Sequence, residues 1–229
     1  QRKPPFIVVD HHLASVIVSG YPAKLWYVEV LDSVTPKDIE KNHDWALALN
    51  AGYTRAFKVR ALEEIPLARL FGEQGEAIIE IINCAGRLTP EDADTLGGNI
   101  HPDSAQAYSD AWDNWQEAKS TNRAHIGKNS TTLSIPDIEG GSPINYGFMT
   151  LFNVLWKRAR EVEGDAAFFE EIDEHGESET CLTERWSKAD KALMYAAMTL
   201  GAPDYVSDQN REVLLQGWKR WRSEILKNK

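Results

Sequence analysis

The chain has 229 residues, of which 42 % are hydrophobic and 26 % charged, and a net charge of −10. That is enough apolar material for one large domain or two small ones, while the acidic balance disfavours a broad electrostatic grip on nucleic acid and leaves room only for a local basic patch. No apolar run approaches the ~18–20 residues of a membrane span, and nothing at the N-terminus reads as a signal peptide, so a membrane partner is not expected.

Cys84 and Cys181 are far apart and lack CxxC spacing. They fit a reducing compartment rather than a disulfide scaffold, and cytoplasm is the expected location. With no neighbouring motif, each reads as a small buried hydrophobe. The chain opens on Gln1 instead of methionine, which reads as a processed or trimmed product.

In chain order, residues 5–33 read as strand, short helix, strand. Phe6-Ile7-Val8-Val9 is the first apolar run, Leu13 to Gly20 the helix, and Leu25-Trp26-Tyr27-Val28-Glu29-Val30 the second strand. Gly20-Tyr21-Pro22 closes the helix. Thr35-Pro36 then supplies an N-cap and a proline at the first helical position, with Asp38 and Glu40 in the first turn. That helix is predicted through Ile39, His43, Ala46 and Leu47, stopping at Gly52. Residues 53–60 alternate weakly and suit a third strand. Residues 62–85 are predicted as helical pieces broken at Pro66 and Gly72, with Ala77 to Ile82 ambiguous between strand and helix.

From residue 89 the pattern is helical. Thr89-Pro90-Glu91-Asp92 repeats the cap-and-proline opening, and Ala105, Tyr108, Trp112 and Trp115 follow on one face. Residues 120–147, rich in Ser, Thr, Asn and Gly, form the longest irregular stretch and are expected to be a functional loop, lid or linker. Further stripes are Phe148, Leu151, Phe152, Leu155 and Trp156; Trp186, Ala189, Leu193, Ala196, Ala197 and Leu200; and Leu214, Trp218, Trp221 and Ile225. The expected organisation is therefore an N-terminal α+β region over 1–119, the loop over 120–147 and a helical region over 148–229. Most of the eight tryptophans fall in such stripes and are expected to anchor a core.

The acidic stretch from Glu161 to Glu179 is predicted to be a solvated loop between helices. A calcium loop counted from Glu171 would put His175 fifth and Leu182 twelfth, where oxygen ligands are needed. The C-terminal helix places Lys219, Arg220, Arg222, Lys227 and Lys229 around Trp218 and Trp221; its aromatic stripe is read as core in preference to a docking face.

The candidate site is Asp10-His11-His12, at a strand end followed by a helix N-terminus, where backbone N–H groups favour an anion. A carboxylate and two imidazoles suit a metal ligand set, an acid/base pair or a phosphate clamp; alternatively Asp10 only caps the helix. The segment Val8-Val9-Asp10-His11-His12-Leu13-Ala14, then Gly20, then Tyr27-Val28-Glu29-Val30, resembles the ParB-like nuclease family, within the wider ParB and sulfiredoxin fold. The resemblance implies a loop that reads phosphate, with Asp10, His11 and His12 as catalytic residues and His11, His12 and Ser15 as phosphate contacts. It also implies a nucleotide or nucleic-acid phosphate as partner and nucleolytic chemistry as the reaction; no metal site or cofactor is assigned. The same triplet resembles phosphoesterases that bind two metals, but these need further upstream aspartates, and no acid precedes Asp10. The competing expectation is a non-enzymatic acidic helical protein that binds and inhibits another protein. The expected fold class is α+β: a small N-terminal strand-helix-strand segment followed by a mostly helical region.

Overall fold

β-branched and aromatic residues concentrate in three segments near the N-terminus, and these form the main sheet. The computed structural model describes residues 6–11, 13, 16, 18, 20–41, 53–125, 147–172 and 176–227. Strands β1 (Ile7–Asp10), β2 (Leu25–Ser33) and β3 (Tyr53–Ile65) pair antiparallel in the order β1-β3-β2. Short β1 lies on the first residues of β3, with Asp10 opposite Tyr53 and Ile7 opposite Ala56. β2 runs along most of β3, from Leu25 opposite Ile65 to Ser33 opposite Ala56, with register shifts on the way. Glu29 stands opposite Arg60 and pairs with it at 3.0 Å, and Lys24 reaches Glu64 at 3.2 Å.

The third strand continues to Ile65, so residues 62–65, predicted helical, are strand. Glu63 and Glu64 favour helix locally, but pairing with Leu25, Trp26 and Tyr27 decides the outcome. Between β1 and β2, Leu13 stands in a 3-10 turn, with the Val16 N–H donating to the Leu13 carbonyl at 3.2 Å. Val16 and Val18 belong to no regular element, so no α-helix is found among the described residues of 13–20. Leu13, Val16 and Val18 nonetheless pack against the main core.

Helix α1 (Pro36–Lys41) starts as predicted: Asp38 accepts from the Thr35 N–H at 2.8 Å and hydroxyl at 2.6 Å, which hold its carboxyl below the usual range. Residues 42–52 lie outside the described residues. After β3 come a 3-10 helix at Leu67–Phe71 and helix α2 (Gly75–Ala85), which resolves the ambiguous isoleucine run as helix. Its Ile78, Ile81 and Ile82 are all buried, the one-sided spacing of an amphipathic helix. Gly75 lies so close to the preceding 3-10 helix that a Cβ would overlap the Ala68 carbonyl oxygen. Gly75→Ala is therefore expected to lower stability by about 1–3 kcal/mol, read as a lower urea midpoint.

Helices α3 (Pro90–Gly98), α4 (Ser104–His125), α5 (Phe148–Glu163), α6 (Glu184–Gly201) and α7 (Asp208–Lys227) complete the helical part. α3 opens on a full capping box, in which Thr89 and Asp92 satisfy each other's backbone N–H groups. α6 touches α2, α3, α4, α5 and α7. Its Trp186, Ala189, Leu193 and Ala196 lie in a core shared with Ile78, Leu151, Trp218 and Trp221. Trp218 and Trp221 are buried, and the Trp221 indole donates to Asp92 at 3.0 Å, so the C-terminal stripe is core. A second cluster joins α4, α6 and α7 through Ala111, Trp115, Tyr195, Met198 and Leu214.

Two further expectations change. α4 runs to His125, so residues 120–125 of the predicted loop are helical, while 126–146 lie outside the described residues. Ala105 is exposed, and α4 buries Ala107 and Ala111 beside Trp115 instead. The acidic stretch is no plain loop: β4 (Phe168–Ile172) and β5 (Ser178–Leu182) pair as an antiparallel hairpin. Glu170 accepts from the Ser178 and Thr180 hydroxyls across it, an arrangement open to acids on an exposed strand pair.

Candidate functional site

β1 ends at the predicted site, where its ladder with β3 stops at the Asp10–Tyr53 pair. Asp10 is the last strand residue, half-buried and opposite Tyr53; His11 follows in a bend and is exposed. The His11 Nε2 is hydrogen bonded to the Thr54 hydroxyl at 2.7 Å. This bond ties the bend to the central strand and restricts the imidazole to one side of it. Either partner can donate, according to the tautomer. His12 and Ser15 lie outside the described residues.

Side chains alternate across a strand, so register assigns faces. Val8 faces Arg55 and Asp10 faces Tyr53, which puts Asp10, Tyr53 and Arg55 on one side. Val9 faces Thr54, and the His11 imidazole joins Thr54 on the other. The acid and the first histidine are consecutive in sequence but belong to opposite faces of the sheet edge. That geometry suits a group approaching the end of the strand better than one lying flat on a single face.

Sequence reasoning missed the contribution of β3. Arg55 holds its guanidinium 5.1 Å from the Phe6 ring and 5.7 Å from the Tyr53 ring, and donates to the Tyr53 hydroxyl at 3.3 Å. A half-buried arginine stacked between two aromatics keeps its charge and its planar donor array in place. It lies beside the edge from which Asp10 and His11 emerge, and its signal was present in the Tyr53-Thr54-Arg55 alternation. Among the described residues no group of three or more His, Cys, Asp or Glu is arranged to hold a metal ion.

The cysteines take no part in this site. Both are half-buried, and burial pushes the Cys84 thiol pKa above its ordinary value, away from a reactive thiolate. No helix among the described residues is long and apolar enough to cross a membrane.

Comparison with protein-family models gave no match, and comparison with curated proteins and with solved structures gave none either.

Proposed function

We propose that the protein binds the phosphate of a nucleotide or nucleic acid at the end of β1 and acts on it nucleolytically. His11, His12 and Ser15 are the phosphate contacts in this reading, and Asp10, His11 and His12 carry the chemistry. The observation that carries it is the His11 imidazole fixed by Thr54 at an exposed strand end, with Asp10, the residue before it, on the other face of the same end. The segments that resemble the ParB-like family fall in and after β1 and in β2, both bound to the same central strand. An imidazole near neutrality can donate to a phosphate oxygen or move a proton, and Arg55 adds permanent positive charge beside the same edge.

A His11→Ala/His12→Ala variant is expected to bind a labelled DNA oligonucleotide or a nucleotide about tenfold more weakly, with its melting temperature unchanged. Thr54→Val should show a smaller loss of the same kind, because it frees the ring without removing it. Calorimetry that gives the parent and the double variant equal affinity would end this reading.

A second reading, a non-enzymatic module that binds another protein, is favoured by the β2–β3 ribbon. It exposes Trp26 at 43 %, Tyr27 at 44 %, Leu31 at 40 % and Leu62 at 61 %. Trp26 and Tyr27 are consecutive, so both faces of the ribbon present aromatic surface, which is the composition of an interface core. Under this reading Trp26→Ala would abolish partner binding, while the histidine variant would not.

A further inference from the structure

A cleft away from the β1 end collects positive charge on an otherwise acidic chain. It has a volume of about 370 Å³, and its polar lining comprises Tyr21, Asn83, Arg87, Lys157, Arg158 and Glu161. Three cations there face one carboxylate, in a chain whose net charge is −10. Neither Asp10 nor His11 lines it.

The two arginines are each held through Nε and lightly engaged at their outer ends. Arg87 donates from Nε to the Asn83 carbonyl at 3.1 Å, and Arg158 donates from Nε to the Leu88 carbonyl at 2.8 Å. Each bond fixes a guanidinium plane and leaves the terminal Nη donors for another acceptor. The contacts made by those donors are long: Arg158 Nη1 is 3.8 Å from Glu161, and Arg87 Nη2 is 3.9 Å from the Cys84 sulfur. Lys157 also stands 3.8 Å from Glu161, and its side chain is exposed. Arg87 makes no ion pair among the described residues. Tyr21 donates its hydroxyl to Asn83 Oδ1 at 2.7 Å, which orients the Asn83 amide and leaves its N–H donors to point elsewhere.

Two arginine forks, an amine and an amide form a donor-rich lining, and such a lining is matched by a group with several acceptor oxygens and more than one negative charge. Ile82, Val154 and the Tyr21 ring supply apolar wall in the same cleft, and its size falls in the range of small-molecule sites. We infer that this cleft binds a phosphorylated small molecule, a phosphate monoester of about mononucleotide size, with Arg87, Lys157 and Arg158 on the phosphate. The inference is independent of the reading of the β1 end.

The test is calorimetry with adenosine 5′-monophosphate and, as the uncharged control, adenosine. The parent should bind the monophosphate, more weakly as salt rises, and should not bind adenosine. Arg87→Gln/Lys157→Gln should bind the monophosphate at least about tenfold more weakly while melting like the parent, since both side chains reach solvent. Lys188→Gln/Lys219→Gln, which removes the same charge from exposed positions of α6 and α7 outside the cleft, should retain the binding. Four results would overturn the proposal: no binding by the parent, equal binding of adenosine, full binding by the Arg87/Lys157 variant, or loss in the Lys188/Lys219 variant as large as in that variant.

Discussion

Replacing Trp186 with alanine is expected to destabilise the protein by about 3–5 kcal/mol, the cost of removing a large aromatic from a closed core. The side chain is fully buried in α6, between groups from α2, α3, α5 and α7. It also carries a polar link. Its indole N–H donates to Glu163 at 2.7 Å, the same carboxylate accepts from Arg185 at 2.6 Å, and Arg185 reaches Asp94 at 2.9 Å. Three helices are thus joined through one tryptophan and one arginine: α3 by Asp94, α5 by Glu163 and α6 by both donors. Alanine leaves a cavity and deprives a partly buried carboxylate of one donor. Trp186→Phe keeps most of the volume and removes only the N–H, so it should cost about 1–2 kcal/mol. Urea titration separates the two, because midpoints should fall in the order parent, phenylalanine, alanine while the slope stays the same. An alanine variant within about 1 kcal/mol of the parent would mean that this residue does not organise the core, since typical domains have only about 5–15 kcal/mol in total.

The helical part of this arrangement was legible because helix burial is written in single-chain spacing. Trp186, Leu193 and Ala196, or Leu214, Trp218 and Trp221, lie on one stripe whatever packs against them, and all are buried. Caps were legible for the same reason: Thr35 with Asp38 and Thr89 with Asp92 are contacts between residues three apart. The sheet was harder. Residues Leu62 to Ile65 carry two glutamates and no alternation, and only β2, some forty residues earlier, makes them strand. The β4–β5 hairpin was hidden in the same way, by acids that an exposed strand tolerates through cross-strand hydroxyls from Ser178 and Thr180.

The site divides along the same line. Asp10, His11 and their place at a strand end follow from a local pattern. The partners of that pattern do not: Thr54, which holds His11, and Arg55, which stacks on Phe6, arrive from a strand more than forty residues away. A register of two antiparallel strands is a long-range fact, and one residue of slip would exchange Thr54 for Arg55 on the histidine's face. The separation of Asp10 from the His11 side of the edge was therefore beyond reach of the triplet alone.

Stability should fall as pH rises from about 4 to about 7, because of Asp190. This α6 carboxyl is 7 % exposed, and its Oδ1 has no hydrogen-bond partner among the described residues. Burial pushes its pKa up to about 7, with Lys191 opposing in part. In the unfolded chain an aspartate titrates near ~3.9. Below that value both states hold the proton and the group costs nothing. Between the two values the unfolded state releases its proton first, so each pH unit favours unfolding by about 1.4 kcal/mol; above about pH 7 both are ionised and the full cost, on the order of 4 kcal/mol, is present. The acids with lowered values, such as Asp38 and Glu184, act in the opposite direction and lose their contribution as pH falls through their depressed pKa. Asp190→Asn isolates the effect, since the amide has nearly the same shape and no charge. Urea midpoints measured at about pH 4.5, about pH 6 and about pH 8 should drop steadily for the parent and change far less for the variant, which should overtake the parent at the highest pH. Parallel curves for the two proteins would show that Asp190 is solvated or paired in solution and that its burial does not shape the stability of the helical core.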